Sequence, residues 1–176
     1  MAALNIMIGF PGSGKSSYAK KYLLTNNSVY LSSDDIRIEL YGFEDQTHNT
    51  EVFERMKRET LTALQNDFDV VYDATNLSKK RRSDIIKSTK MCDAEVNAYL
   101  CCTPINIILE RNTQRKGRAL VPENVVRRMY NSIILPTKAE GIEELIIIDE
   151  NQKVKEVREL WFGLHQIYIL VMIKIL

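Results

Sequence analysis

No charge of one sign dominates this chain: 24 Lys and Arg stand against 23 Asp and Glu, a formal net charge of +1. A protein that coats nucleic acid or an anionic membrane with its whole surface carries a large positive excess, so any anionic partner must be held by a local patch. Cysteine is scarce and odd in number, three in 176 residues, and the adjacent Cys101 and Cys102 cannot bridge within one strand. That composition excludes a disulfide-stapled secreted scaffold and leads us to expect a reducing cytoplasm. His48 and His165 have no Cys or His at metal-ligand spacing and read as structural or surface residues. Long apolar runs are missing too. The run from Gln166 to Leu176, broken only by Lys174, is shorter than the roughly 20 residues a bilayer-spanning helix needs, so no membrane partner is expected. The chain shows no repeats and no low-complexity linker, and Met1-Ala2-Ala3-Leu4 brings no basic n-region, so no targeting signal is expected. The length suits one well-buried domain rather than two.

What the chain does have is a phosphate cradle. Residues Gly9-Phe10-Pro11-Gly12-Ser13-Gly14-Lys15-Ser16 spell G-x-x-x-x-G-K-S directly after the apolar run Leu4 to Ile8, with Ser17 following. In such a P-loop the glycines let backbone N–H groups turn toward an anionic phosphate. Lys15 then sets a cation on the β/γ-phosphates, and the Ser16 hydroxyl can ligate Mg²⁺. The helix that starts here adds its positive dipole end to the same anion. A merely structural glycine turn would give no reason for a Lys-Ser pair in the first helical turn.

Around the cradle, apolar runs and helical patterns alternate. Strands are expected at Leu4–Ile8, Val29–Ser32, Phe68–Tyr72 (ending in Asp73), Val96–Cys102 and Glu144–Ile148. Helices are expected at Ser16–Leu24, Ile36–Tyr41, Glu51–Gln65, from a Ser78 cap to Lys90, from a Thr103-Pro104 start to Lys116, and from Pro122 to Ser132. The fold class is therefore α/β: a three-layer sandwich of the P-loop NTPase and kinase type, with a five-stranded, mainly parallel sheet and a helical lid at about residues 111–122. Residues 1–153 form this domain. Val154 to Leu164 looks helical, and the apolar tail to Leu176 reads as a final helix or strand on the core or, alternatively, a homo-oligomer surface.

A P-loop names the nucleotide and leaves the phosphate acceptor open. In open α/β sheets ligands sit beyond the carboxyl ends of the strands, where Asp34-Asp35 and Asp73 fall. Transfer to a hydroxyl wants a carboxylate to take its proton and a cation nearby, which Asp34 and Arg37 can supply; a helix cap and a solvated Arg are the alternative. Asp73 can hold Mg²⁺ through water or orient an acceptor, and Thr75 and Asn76 suit a substrate contact or an ordinary turn. Arg111 and Arg115 lie four apart with Lys116 and Arg118 beyond, as cations over a transferring phosphoryl group or as a solvated basic face. The basic run Lys79-Lys80-Arg81-Arg82 is what a phosphodiester backbone needs, or again a solvated face.

Taken together, Gly9 to Ser16, Asp34-Asp35-Ile36-Arg37, Asp73-Ala74-Thr75-Asn76-Leu77 with Arg81-Arg82, Arg111 to Arg115, Val121-Pro122 and Arg128-Met129-Tyr130 resemble, in order and spacing, the kinase domain of T-even phage-type polynucleotide 5′-kinases. These are P-loop kinases of the AAA-like and zeta-toxin-related group. The likeness spans about residues 4 to 135. It implies ATP- and Mg²⁺-dependent transfer of the γ-phosphate to a 5′-hydroxyl end of DNA or RNA. Lys15 and Ser16 would hold phosphate and metal, and Asp34 would be the general base. Arg37 would grip an acceptor phosphate, Asp73 and Thr75 would shape the acceptor pocket, Arg115 would be the lid arginine and Arg111 would lie on the nucleotide. A small-molecule hydroxyl is the alternative acceptor. The phosphatase domain of the two-headed enzymes has no counterpart here, so removal of 3′-phosphate is not expected.

Overall fold

A computed structural model describes residues 1–42 and 47–159. Its centre is a six-stranded sheet of β1 (Ala3–Ile8), β2 (Ser28–Ser32), β3 (Asp69–Asp73), β4 (Glu95–Cys101), β5 (Glu144–Ile148) and β6 (Val154–Glu159), in the order β2-β3-β1-β4-β5-β6. The first five strands pair in parallel, as the alternation of apolar runs with helical segments requires. Strands buried on both faces read as near-continuous apolar sequence, as β1 does apart from Asn5 and β5 does after Glu144. Along β1, Leu4, Ile6 and Ile8 enter the larger core cluster, whereas Met7 points into the smaller one with Tyr18, Ala19, Val71, Cys101 and Ile146.

The helices are α1 (Lys15–Tyr18, continued by a wider turn over Ala19–Leu23), α2 (Ser33–Tyr41), α3 (Asn49–Gln65), α4 (Lys79–Thr89), α5 (Ile105–Thr113) and α6 (Glu123–Ser132). Val52, Met56 and Leu64 of α3 and Ile85 and Ile86 of α4 are buried in the larger cluster. Tyr18 and Ala19 cover the opposite face of the sheet, completing three layers.

Four expectations need correction. The sheet has six strands, not five, because Val154–Glu159 is no helix: it pairs antiparallel with β5, Ile146 opposite Val157. The valines of Val-Lys-Glu-Val fit a helical spacing equally well, and the ladder with β5 decides the matter. Helix α5 stops at Thr113 rather than Lys116, so Arg115 lies beyond it. Thr103 does not cap α5; Pro104 holds the cap position, and the Thr103 hydroxyl donates to the Ser13 carbonyl at 2.9 Å. Finally, Arg82 is not part of an exposed basic run. Its side chain is fully buried, with Nε 2.9 Å from Glu140 Oε2 and Nη2 3.0 Å from Glu140 Oε1. The expectations for residues 160–176, the oligomer surface and His165 among them, lie outside the described residues. No helix among the described residues is long and apolar enough to cross a membrane.

Candidate active site

Strand β1 lies between β3 and β4, so the chain leaves it at the point where the sheet's order reverses. A crevice opens there outside the carboxyl ends. The P-loop fills one wall. Gly9 donates its N–H to Thr75 O at 3.1 Å, tying the loop to the end of β3. A Cβ on Gly9 would come within 2.6 Å of Ser13 Oγ, so only glycine lets the loop close this tightly. Gly12, at φ +83°, has Ile108 O only 3.0 Å from where a Cβ would stand. The loop thus rests on α5 as well as on Thr103. Lys15 Nζ donates to Phe10 O at 3.1 Å, which folds the ammonium back over the loop. Ser16 and Ser17 are exposed on the cleft wall.

The facing wall comes from the start of α2. Ser32 is its cap, its Oγ accepting from Asp35 N at 3.2 Å. Asp34 is therefore released from capping. Arg37 is 4% exposed rather than solvated. Its Nη1 donates to Ser33 O at 3.0 Å and to Asp34 Oδ1 at 2.9 Å, and Nη2 donates to Asn49 Oδ1 at 2.6 Å. A planar guanidinium held by three acceptors is a rigid bracket for the carboxylate. Asp34 itself stays 52% exposed, with one oxygen bound and the other available.

Asp73 ends β3 level with Met7 of β1 and Ser32 of β2, at the floor of the cleft. It is buried, and Tyr30 Oη donates to its Oδ2 at 2.6 Å. Burial first, and then the Asp73 carboxylate, push the Tyr30 hydroxyl well above its ordinary range, so Tyr30 acts as a fixed donor. Thr75 is half-buried at the mouth. Asn76 faces the cleft, but its Nδ2 donates to Met7 O at 2.8 Å and its carbonyl accepts from Arg82 Nη1 at 2.9 Å. Those bonds make Asn76 a brace of the β3–α4 turn.

On the third side, Arg111 Nη2 donates to Glu150 O at 2.9 Å, joining α5 to the β5–β6 turn. Asn112 clamps the segment that follows: Nδ2 donates to Val121 O at 2.6 Å, and Oδ1 accepts from Val121 N at 3.2 Å. The chain from Gln114 to Pro122, which includes one 3-10 turn at Gly117–Ala119, is thereby held at the crevice, and Arg115, Leu120, Val121 and Pro122 line it. One cleft of about 810 Å³ carries Pro11, Gly12, Gly14, Lys15, Ser16, Ser17, Asp34, Arg37, Asp73, Thr75, Asn76, Arg111 and Arg115 on its walls. Gly9 and Ser13, within the same loop, do not line the cleft; Ser13 is buried, its Oγ without a hydrogen-bond partner.

Sequence reasoning missed Tyr30, Phe53, Asn112 and Gln152, which all face or brace this cleft. Tyr30 and Asn112 act through partners remote in sequence or in a loop, which no local pattern encodes. Phe53 shares a helical apolar face with Val52 and Met56 in the sequence, which points it to the core, and nothing in the sequence marks Gln152 of the β5–β6 turn.

The residues present fit a nucleoside triphosphate and Mg²⁺. The loop's positive-φ glycines, the Lys15 ammonium and the guanidinium groups of Arg111 and Arg115 line one cleft. Ser16 and Asp73 offer the hard oxygen donors that Mg²⁺ prefers alongside phosphate and water. Among the described residues no cluster of three or more His, Cys, Asp or Glu forms a separate metal cage.

Comparison with known proteins places this geometry. The chain is 30% identical over 159 residues to the L-seryl-tRNA(Sec) kinase of Methanococcus maripaludis, covering 86% of this chain and 60% of that protein. It thus spans about three-fifths of that relative's length. One structure of a Pnkp1/Rnl/Hen1 complex matches with TM-score 0.56 and 25% identity, over 62% of this chain and 38% of the other. A second structure, of the Pnkp1/Rnl/Hen1 RNA repair complex, matches the fold with TM-score 0.66 and 18% identity, over 94% and 50% of the two chains. The parallel sheet, the P-loop and the cleft are those of the P-loop kinase fold. Residues 4–136 match the model of the AAA domain family AAA_33, and the chain belongs to that family.

Proposed function

We propose that this protein transfers the γ-phosphoryl group of ATP to the 5′-hydroxyl end of a polynucleotide, DNA or RNA. The observation that carries this reading is Asp34: a half-exposed carboxylate, bracketed by a buried Arg37, opening on the same cleft as Lys15. A free Asp34 oxygen takes the proton of the acceptor hydroxyl as its oxygen bonds to the γ-phosphorus. The bond from that phosphorus to the β–γ bridging oxygen breaks, and ADP leaves. Lys15 and the loop N–H groups hold the β- and γ-phosphates, and Arg115 meets the charge on the transferring group. Mg²⁺, when bound through Ser16 with Asp73 behind it, would neutralise phosphate charge. Arg37 fixes the base, and Arg111 steadies the nucleotide side of the cleft through its bond to the Glu150 carbonyl. Thr75 and Asp73 shape the acceptor pocket.

The polynucleotide acceptor draws support from the ordered motifs, from Arg81 at the cleft, and from the matches to the Pnkp1/Rnl/Hen1 complex. A second reading has its own observation. Arg82 is withdrawn into the core, which shortens the basic run that a phosphodiester backbone would need. A hydroxyl on a small molecule is the acceptor on that reading. Incubation with labelled ATP and Mg²⁺ against a panel of 5′-hydroxyl oligonucleotides and free nucleosides separates the two. The polynucleotide reading requires label at oligonucleotide 5′ ends, and label on small acceptors alone rejects it.

A further inference from the structure

Beside the Asp34 bracket, α3 and α4 bring an aromatic ring and a guanidinium together at the cleft wall. Arg81 Cζ lies 4.0 Å from the Phe53 ring centroid, and Arg37 Cζ lies 6.0 Å from the same centroid. Phe53 is half-buried and packed against the larger core, whereas Arg81 is exposed; both line the cleft. The series Asp34–Arg37–Phe53–Arg81 is therefore continuous from the base outward.

The backing of this pair is stiff. Arg82, the next residue, is locked to Glu140 and to the Asn76 carbonyl, which fixes the first turn of α4. Ser78 caps that turn, its Oγ accepting from Arg81 N. An ordinary surface cation–π pair is an adequate account of Arg81 on an open helix face. It does not explain why the pair stands on the wall of a phosphoryl-transfer cleft, next to the residue that holds the base. Guanidinium planes and aromatic rings are the surfaces on which unpaired nucleobases stack.

We infer that Phe53 and Arg81 form a stacking platform for the nucleobase at or next to the acceptor end, and so select a nucleoside-bearing acceptor. This rests on the polynucleotide reading above. The platform leaves the reacting hydroxyl free for Asp34 and makes no hydrogen bond to a base edge, so it favours a base without choosing among bases.

The test compares two 5′-hydroxyl oligonucleotides of equal length and charge, one with an ordinary 5′-terminal base and one abasic at that nucleotide. The readout is the ratio of their kcat/KM values within each protein, so a loss of folded fraction cancels. Wild type should favour the base-bearing acceptor by on the order of tenfold. Phe53→Leu should bring the ratio close to one, and Phe53→Tyr should keep it. Arg81→Lys, which retains the charge but loses the plane, should also lower it. Equal use of both acceptors by wild type, or a ratio unmoved in Phe53→Leu and Arg81→Lys, overturns the platform while the transfer reaction stands. Absence of label from both oligonucleotides would instead overturn the polynucleotide reading itself.

Discussion

Arg82 and Glu140, 58 residues apart, form a doubly hydrogen-bonded ion pair from which water is fully excluded. Glu140 also accepts from Thr137 N at 3.0 Å, and Arg82 donates to Asn76 O at 2.9 Å. One pair thus fastens α4, the β3–α4 turn and the loop before β5. Removing one partner leaves an uncompensated buried charge, so Arg82→Ala should cost about 3–5 kcal/mol in urea unfolding. Glu140→Ala should cost a similar amount, and the double variant should lose much less than the two combined. Full additivity would mean the two charges do not depend on each other.

Gly9 offers a sharper local test. Its absent Cβ would meet Ser13 Oγ at 2.6 Å, Lys15 Cγ at 3.1 Å and Cys101 Cβ at 3.2 Å. Gly9→Ala should therefore push Ser13 and Lys15 out of place and weaken ATP binding by at least tenfold in titration calorimetry, while a circular dichroism spectrum still shows the folded chain. Unchanged affinity would show that the loop tolerates a different closure.

Arg37 is predicted to act through Asp34 and not as a bare cation. Arg37→Lys keeps the charge but loses the planar fork shared among Ser33, Asp34 and Asn49. Turnover should fall by on the order of 10²-fold, as for a misplaced reacting group, with KM for ATP changed little. A lysine variant of near wild-type kcat would reduce Arg37 to a source of positive charge.

Burial raises the Cys101 and Cys102 thiols from 9.0 to about 12. A thiol whose pKa is raised on folding holds its proton more tightly in the native state. The stabilisation is complete below the unfolded value and is lost as pH climbs through the folded one. The urea midpoint should fall between pH 9 and about 12, less steeply in Cys101→Ala. Alkylation at neutral pH should reach Cys92, which is half-buried, before the buried Cys101. Early modification of Cys101 would contradict its place beneath the P-loop.

Much of this was legible in the sequence because its signals are local. The G-x-x-x-x-G-K-S spacing after an apolar run fixed the cradle, and the runs around Val70, Val96 and Ile146 fixed the parallel strands. What escaped was carried by contacts between distant residues. Val154–Glu159 becomes a strand only through its ladder with β5. Arg82 looked like its basic neighbours because Glu140 lies so far along the chain. Asp34 and Arg37 were readable as a pair three residues apart, but the burial of Arg37 depends on Asn49 of α3. Asn76 was readable as a substrate contact or a turn residue, and the bond from its amide to the distant Met7 carbonyl, which braces the turn, was not.

The most direct test measures label transferred from γ-labelled ATP to a 5′-hydroxyl oligonucleotide, with Mg²⁺, by wild type and by Asp34→Asn. Wild type should label the 5′ end, and Asp34→Asn should be slower by on the order of 10²–10⁴-fold while still binding ATP normally. Equal labelling by the two proteins would remove Asp34 from the chemistry and contradict the account.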